Sequence, residues 1–310
     1  DALTTGARNT VLGYAALSTD TTGQYSVAIG YGALQNQNFT GGQASYNVAV
    51  GYDAGNDITT GDMNTLMGAL TGDALTTGSR NTVVGILALS AEDTGSRNTA
   101  FGYAALGALN YDGNGYNVAI GYSAGVTMTT GIHNTIVGSL AGDSLTEGDS
   151  NVAMGYLALS AETLGDRNVA IGLGALAAQN NTSDADVYNT AIGYNAGAAV
   201  TTGTVNTIIG GLAGDALTTG ANNVALGTLA LSSETGGGKN VAIGYGSLEL
   251  LNFNDDGNNV AVGYVAGQRI TTGVNNILIG SQAGDALTTG ASNTLVGRSA
   301  GGALITGTHN

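Results

Sequence analysis

The chain repeats one five-residue motif seventeen times: an asparagine, a β-branched residue, a small or aliphatic residue, a large apolar residue and a glycine, as in Asn9-Thr10-Val11-Leu12-Gly13. The closing glycines are spaced by 17 residues, or less often by 19 or 21. They are Gly13, Gly30, Gly51, Gly68, Gly85, Gly102, Gly121, Gly138, Gly155, Gly172, Gly193, Gly210, Gly227, Gly244, Gly263, Gly280 and Gly297. So short and regular a period predicts a chain that stacks one small unit on itself and has no conventional globular core.

The longer steps are periodic too. A step of 21 residues ends at Gly51 and Gly193 and a step of 19 at Gly121 and Gly263, so the third rung in each group of four carries an insertion. These groups are superrepeats of 70 to 72 residues: 1–72, 73–142, 143–214, 215–284 and the partial 285–310. We expect a single repeat domain. Because Asn310 begins an unfinished rung, we also expect a segment of a longer fibre.

Alternation of large and small side chains over three residues indicates a short strand and not a helix. A 17-residue period leaves room for two short strands and two turns, and it is too short for the helix pairs of other repeat proteins. The sequence therefore predicts an all-β fold, a parallel β-solenoid (β-roll) of about seventeen 17-residue rungs in a four-rung superrepeat. We expect the large residue before each glycine, such as Ile171, to lie in the core.

The second half of each rung has its own pattern. An alanine such as Ala33 or Ala54 lies three residues after almost every closing glycine, followed by leucine or glycine. We expect this segment to be the second strand, with alanines that either fit a narrow interior or form a flat face against partner chains. Threonine-threonine-glycine triplets such as 76–78 should form turns with glycine at positive φ. The tyrosines after the glycine are interpreted as surface or interface packing: Tyr14, Tyr31, Tyr52 and Tyr103.

The asparagine that opens the motif occurs in sixteen of the seventeen rungs, and Ser26 replaces it once. Stacked at about 4.8 Å per rung, these side chains predict an amide ladder that satisfies turn backbone groups and holds the register. Its members include Asn9, Asn47, Asn64, Asn81, Asn98, Asn117, Asn134, Asn151 and Asn168. Seventeen rungs at that rise predict a rod of roughly 80 Å.

Composition restricts the partners. A net charge of −15, from 22 acids against 7 basic residues, repels the phosphates of nucleic acid. No apolar run approaches the ~20 residues of a membrane helix, so we expect no membrane insertion. The absence of cysteine excludes disulfides and thiol chemistry. Hydrophobic residues make up 43% of the chain, enough to bury a continuous core and offset the entropy lost on folding. No residue pattern indicates a cofactor.

Segments such as 98–106 (NTAFGYAAL) and 189–197 (NTAIGYNAG) resemble the repeats of phage tail fibres and of the YadA-like heads of trimeric autotransporter adhesins, and this resemblance covers the whole chain. It implies a left-handed parallel β-roll, a homotrimer with three chains side by side, and a location on a virion tail or a cell surface. The implied function is the shaft of a phage tail fibre that positions host-receptor binding, with a bacterial adhesin head as the alternative. The 17-residue period and the superrepeat depart from the adhesin heads, so the tail fibre is the closer match.

Four insertions interrupt the period at 35–46, 107–116, 177–188 and 249–258. They mix aromatic residues with asparagine and aspartate, the combination that stacks on sugars and hydrogen-bonds to them. Contact with a host surface glycan or protein is therefore one interpretation, and apolar residues that hold a loop in place are the other. The candidate glycan contacts are Phe39, Tyr46, Tyr111, Tyr116, Tyr188 and Phe253.

A metal site is weakly indicated. The segments 110–115 (NYDGNG) and 252–257 (NFNDDG) match the first half of a calcium loop but lack the glutamate at its twelfth position. An ordinary turn rich in asparagine and aspartate is the preferred interpretation, so no metal ligand is assigned. The repeated aspartates of the later superrepeats are expected to make turn hydrogen bonds: Asp73, Asp143, Asp215 and Asp285.

Two further alternatives concern catalysis and ice. Some tail spikes cut polysaccharides with paired carboxylates, but no acid pair stands out from the repeat here. The two histidines, His133 and His309, share one repeat position. We therefore expect no enzyme activity. Stacked threonines could match an ice lattice, yet they are adjacent in sequence, so one of each pair should point away.

Overall fold

The computed structural model describes residues 3–183 and 185–310, and it is all-β. Asp1 and Ala2, predicted to open the first superrepeat, and Asp184 in the third insertion lie outside the described residues. Within the described part of the chain, no helix is long and apolar enough to cross a membrane. The chain divides into two compact units, Asp1–Asn151 and Val152–Asn310. Each unit is a parallel β-solenoid.

The first unit contains eight three-residue strands. Each pairs with the next in parallel, with equivalent repeat positions opposite one another. The strands are β1 (Thr10–Leu12), β2 (Val27–Ile29), β3 (Val48–Val50), β4 (Thr65–Met67), β5 (Thr82–Val84), β6 (Thr99–Phe101), β7 (Val118–Ile120) and β8 (Thr135–Val137).

The second unit continues the same pattern, with nine rung strands in parallel register. These are β9 (Val152–Met154), β11 (Val169–Ile171), β13 (Thr190–Ile192), β14 (Thr207–Ile209), β15 (Val224–Leu226), β16 (Val241–Ile243), β17 (Val260–Val262), β18 (Ile277–Ile279) and β19 (Thr294–Val296). Two further strands, β10 (Gly165–Asp166) and β12 (Ala185–Asp186), pair only with each other. The predicted fold class is confirmed.

The middle residue of each strand faces the interior, and its two neighbours face outward. From β2 to β18 the middle side chain is completely buried: Ala28, Ala49, Leu66, Val83, Ala100, Ala119, Ile136, Ala153, Ala170, Ala191, Ile208, Ala225, Ala242, Ala261 and Leu278. The large residue before the glycine is therefore not in the core. Phe101 is 53% exposed and Ile171 is only partly buried. The core prediction for Ile171 was wrong because the interior takes the middle residue of the strand and leaves the larger one outside.

The segment after the closing glycine is a turn, so the predicted second strand is absent from the rungs that the structure describes. In the rung of Gly102, Ala104 and Leu106 both have left-handed backbones, with φ of 51° and 52°. Two left-handed residues so close together bend the chain sharply and prevent an extended strand. The alanines of this segment, such as Ala33 and Ala54, are fully buried. They fit the interior and do not form a face for partner chains.

Glycine is needed at two positions for different reasons. Closing glycines such as Gly85 have positive φ (135°), and a Cβ there would lie 2.2 Å from the carbonyl oxygen of Gly102 in the next rung. Gly78, in a threonine-threonine-glycine turn, lacks the predicted positive φ. A Cβ on Gly78 would instead lie 2.4 Å from the carbonyl oxygen of Gly95. Close stacking of backbones, and not turn conformation, excludes a side chain at this turn.

The leading asparagines are buried and join successive rungs. In the first unit, Asn64 Oδ1 accepts from the backbone N–H of Asn81 at 3.0 Å, and Asn64 Nδ2 donates to the carbonyl of Gly78 at 2.9 Å. Asn206 makes the equivalent bonds in the second unit, to Asn223 and Gly220. Each of these two side chains thus satisfies two backbone groups that face the dry interior.

Candidate functional site

In each unit, the outward residues of the three-residue rung strands and the residue after each closing glycine form one surface, which we call the strand face. Its large members are well exposed for apolar side chains: Met67 is 44% exposed, Ile120 is 40% and Leu226 is 40%. The first strand position adds only valine, isoleucine or threonine. Contiguous apolar surface of this kind marks an interaction site in soluble proteins.

Tyrosines border the strand face and stack from rung to rung. Ring centroids are 5.3 Å apart for Tyr14 and Tyr31, 5.5 Å for Tyr31 and Tyr52, and 5.4 Å for Tyr103 and Tyr122. Their exposure, 54% for Tyr52, agrees with the prediction that they lie on the surface. The stacking fixes each ring, so the face is preorganised for contact.

Charge is distributed unevenly around the rung. None of the 22 acids occupies a strand-face position. Five of the seven basic residues instead lie directly before the leading asparagine, beside the strand: Arg8, Arg80, Arg97, Arg167 and Lys239. Repulsion between copies of this acidic chain is consequently weakest across the strand face.

A second feature lies inside the rungs, seven residues after the closing glycine. This inner position is usually apolar, as in Leu75 and Leu145, but the second rung of each full superrepeat has an acid there. The four acids are completely buried: Asp20, Glu92, Glu162 and Glu234. Sequence reasoning missed them, although their spacing of 70 or 72 residues within a largely apolar column could have identified them.

Glu162 illustrates what a buried acid contacts. Its Oε1 accepts from the backbone N–H groups of Thr163, Leu164 and Gly165 at 2.9 to 3.2 Å, which closes its own turn. The other contacts come from the following rung, which carries the insertion. Gln179 Nε2 donates to Oε2 at 2.8 Å, while the backbone and side-chain nitrogens of Asn181 donate at 3.0 Å.

The other acids have related partners. Glu92 Oε2 accepts from the backbone N–H of Tyr111 at 3.1 Å, and Glu234 Oε2 accepts from that of Phe253 at 3.1 Å. Asp20 has a shorter side chain and reaches the insertion rung through Gln37, whose Nε2 donates to Oδ2 at 2.7 Å. In every superrepeat with an insertion, a buried carboxylate therefore contacts the rung that carries the insertion.

The end of each insertion returns to the preceding rung through a short parallel pairing. The paired residues are Gln24 with Ala44, Ser96 with Asn114, and Gly238 with Asp256, and β10 with β12 takes the same place in the third superrepeat. Next to this pairing, Arg97 stacks over the ring of Tyr116, and Lys239 forms an ion pair with Asp256. The insertions are thus packed loops with defined backbone partners.

The six candidate glycan residues fall into two sets. Tyr46, Tyr116 and Tyr188 precede a leading asparagine and are exposed by 44 to 51%. Their ring faces are used for stacking, since Tyr46 lies on Tyr25 and Tyr116 lies between Arg97 and His133. The other three lie nine residues after the closing glycine. Phe39 is buried, so its ring is not available to a glycan in this conformation, while Tyr111 and Phe253 are partly exposed.

The oxygens of the calcium-like segments are engaged within the protein. Thr94 Oγ1 donates to Asp112 Oδ1 at 2.6 Å, and Thr235 Oγ1 lies 3.1 Å from Asn252 Oδ1 and 2.9 Å from Asn254 Oδ1. Among the described residues, no group of three histidine or acidic side chains is arranged to hold a metal ion. These contacts are those of a turn joined to its neighbouring rung.

The aspartates that open the superrepeats make only part of the predicted turn contacts. Among the described residues, the Oδ1 atoms of Asp73, Asp143 and Asp215 are buried and have no hydrogen-bond partner. Burial raises the pKa of all three carboxyl groups, and their own backbone N–H groups oppose that shift.

The threonine turns use their hydroxyl groups inside the fold. Thr59 Oγ1 and Thr201 Oγ1 each donate to a carbonyl oxygen of the next rung at 3.2 Å. The threonine pair is also missing from the third rung of each full superrepeat, where the insertion replaces it. A continuous threonine lattice of the kind that ice binding requires is therefore interrupted.

We expect the protein to be more stable at pH 5 than at pH 7. Burial raises the pKa of Glu92 and Glu234, as it does for the three aspartates above. Between the ordinary carboxyl pKa near 4 and the raised values, the folded chain binds more protons than the unfolded one. The stabilisation is present at low pH and is lost as pH rises through the raised pKa values.

Thermal unfolding of the chain at several pH values checks this. The paired variant Glu92→Gln and Glu234→Gln should show a weaker dependence on pH over the same range. A melting temperature that falls when the parent chain is brought from pH 7 to pH 5 would contradict the expectation.

Comparisons of this chain with protein-family models, with curated proteins and with solved structures found no match.

Proposed function

We propose that this chain is a structural and adhesive fibre segment, the shaft of a phage tail fibre, and that its strand face joins it to two further copies of itself. The observation that carries the proposal is the apolar strand face, which contains none of the chain's 22 acids. A chain with a net charge of −15 that keeps one apolar face free of acids is suited to pack against a copy of itself.

The size of the strand face supports this partner. The eight rungs of the first unit, at about 4.8 Å each across a face about 15 Å wide, give on the order of 600 Å² of flat area. A standard interface takes about 800 Å² from each partner. Each unit therefore supplies most of one stable interface, and residues such as Phe101 and Ile120 are well exposed and apolar on it.

Three chains, a virion-tail location and host attachment come from the resemblance of the repeats. A bacterial adhesin head on a cell surface has the same assembly and is the alternative. In either case the strand face is used for assembly, and the insertions project from the rest of the rung toward a host surface glycan or protein. The exposed parts of the insertions are polar, as in Asn110 and Asn180.

Catalysis is not part of the proposal. The acids at the inner position of the rungs are Asp20, Glu92, Glu162 and Glu234, and all four are fully buried. Their carboxylates hydrogen-bond to the backbone or side chains of the same chain, where a polysaccharide cannot reach them. A scaffold role needs no reacting group and agrees with a uniform repeat.

Light scattering gives the direct test. The parent chain should have a mass three times its own 30.4 kDa. The double variant Phe101→Asp and Ile120→Asp, which places charges on two paired strands of the strand face, should reduce the mass to that of one chain while the parallel-β circular dichroism spectrum is retained.

The control carries the same added charge on the threonine turns. Thr60→Asp and Thr77→Asp lie at exposed positions of neighbouring rungs away from the strand face, so this variant should assemble like the parent chain. A parent chain that stays monomeric at every concentration, or a control that dissociates as fully as the strand-face variant, would argue against the proposal.

A further inference from the structure

In the insertion rungs, one backbone N–H group points in a different direction from its equivalent in regular rungs. In a regular rung, the N–H nine residues after the closing glycine bonds to the next rung, as Thr60 does to the carbonyl of Thr76 at 3.3 Å. In three insertion rungs the residue at this position is Tyr111, Asn181 or Phe253, and its N–H points back to the preceding rung. A buried N–H turned this way needs an acceptor there.

The buried acid is that acceptor. Glu92, Glu162 and Glu234 each receive this N–H at 3.0 to 3.1 Å. Each also closes its own turn, through the N–H of Gly95, Gly165 or Gly237 at 2.7 to 2.9 Å. A carboxylate in an apolar column is costly unless several donors surround it, and here the insertion supplies part of the donor set.

The acids occur where this explanation requires them. Each is in the second rung of its superrepeat, directly before the rung with the insertion. Rungs that are followed by a regular rung have no acid at the same inner position. They have an apolar residue there, such as Leu75, Met128 or Leu217, or in two insertion rungs a glutamine, Gln37 or Gln179. An acid needed only for its own turn would have no reason to be restricted to rungs that precede insertions.

We propose that each buried glutamate, Glu92, Glu162 or Glu234, is an internal binding site for the backbone of the following insertion, so that the order of each of these loops depends on one acid. The proposal goes beyond the shaft function and does not depend on self-association. The outer side chains of an insertion can then vary without disturbing the rungs, which is the property required of a loop that contacts different receptors.

Hydrogen exchange of Glu162 variants tests the proposal. In Glu162→Gln and Glu162→Leu, the amides of insertion 177–188 should exchange at least about 10-fold faster, while those of β9 and β11 keep their protection. Leucine fits this column, as Leu145 shows in the preceding rung, so the second variant should fold. Glu147→Gln removes the same charge from an exposed acid of the same superrepeat and should change neither set. Unchanged exchange in the insertion, or an equal rise in the strands, would overturn the proposal.

A chimera distinguishes binding of the insertion by Glu162 from support of the turn that contains Glu162. Replacing residues 177–188 with a copy of 198–205 converts the third rung to the regular 17-residue length. Glu162→Leu should lower the melting temperature of the parent chain and raise that of the chimera, because the carboxylate there has lost the donors of the insertion. An equal decrease in both backgrounds would mean that Glu162 supports only its own turn.

Discussion

Ile208→Asp should unfold its part of the solenoid, whereas Ile209→Asp at the next position should leave the rungs folded. Both residues belong to β14, but Ile208 is fully buried and Ile209 is partly exposed on the strand face. The Ile208 side chain lies against the turns at Gly197 and Gly214, close to where a Cβ on either glycine would stand. A carboxylate in that space would lie beside the apolar side chains of Leu176 and Val200.

The expected loss for Ile208→Asp is at least about 4 kcal/mol of local stability, since a buried charge without a partner is among the most destabilising changes known. Ile209→Asp should cost less than about 1 kcal/mol in the isolated chain and should instead weaken assembly. Thermal unfolding together with hydrogen exchange of β13, β14 and β15 measures both effects. Equal destabilisation by the two variants would show that the inner and outer sides of the strand are not as the structure has them.

Asn223→Ala should give the second large effect, because it removes one member of the amide ladder. Asn223 Oδ1 accepts from the backbone N–H of Asn240 at 3.0 Å, and its Nδ2 donates to the carbonyl of Gly237 at 2.9 Å. Alanine leaves both backbone groups buried without a partner. Each such group costs about 1 to 3 kcal/mol, so the local loss should be about 2 to 6 kcal/mol.

Asn222→Ala is the matched control. Asn222 is exposed and has a left-handed backbone with φ of 61°, so alanine there loses only the conformational preference of asparagine, about 1 kcal/mol. Chemical unfolding followed by circular dichroism compares the two variants. A ladder variant no less stable than the control would mean that these amide bonds contribute little, and that packing of the inner columns alone holds the register.

Much of the fold follows from local pattern. The 17-residue period, the position of the strand before each glycine and the repeated asparagine are visible in one dimension because every rung must reproduce the same backbone contacts. The insertions are visible for the same reason, as breaks in the period. The leading asparagines, such as Asn64 and Asn206, are visible as a predicted amide ladder because a polar residue recurring at one position needs a structural partner in each rung.

The inner and outer sides of the strand could not be predicted from the same pattern. Both Ala170 and Ile171 are apolar, and hydrophobicity alone favours the larger residue for the core. The structure places alanine inside because the interior is narrow and the leucine of the adjoining turn, Leu176, already fills it. In the rung of Ile208 the equivalent turn residue is a glycine, Gly214, and the strand supplies the large residue. This exchange of volume depends on how the strand and the turn of a rung pack against each other.

The sequence by itself determined that the chain is a stacked parallel β-solenoid with regular insertions, because period and hydrogen-bonding residues are local properties. Only the tertiary structure decided which apolar residues form the strand face and what the buried acids hold. Glu162 has six donors, and three of them come from Gln179 and Asn181 in the next rung. The preference of a carboxylate for an interior position depends on donors that exist there only after the rungs have stacked.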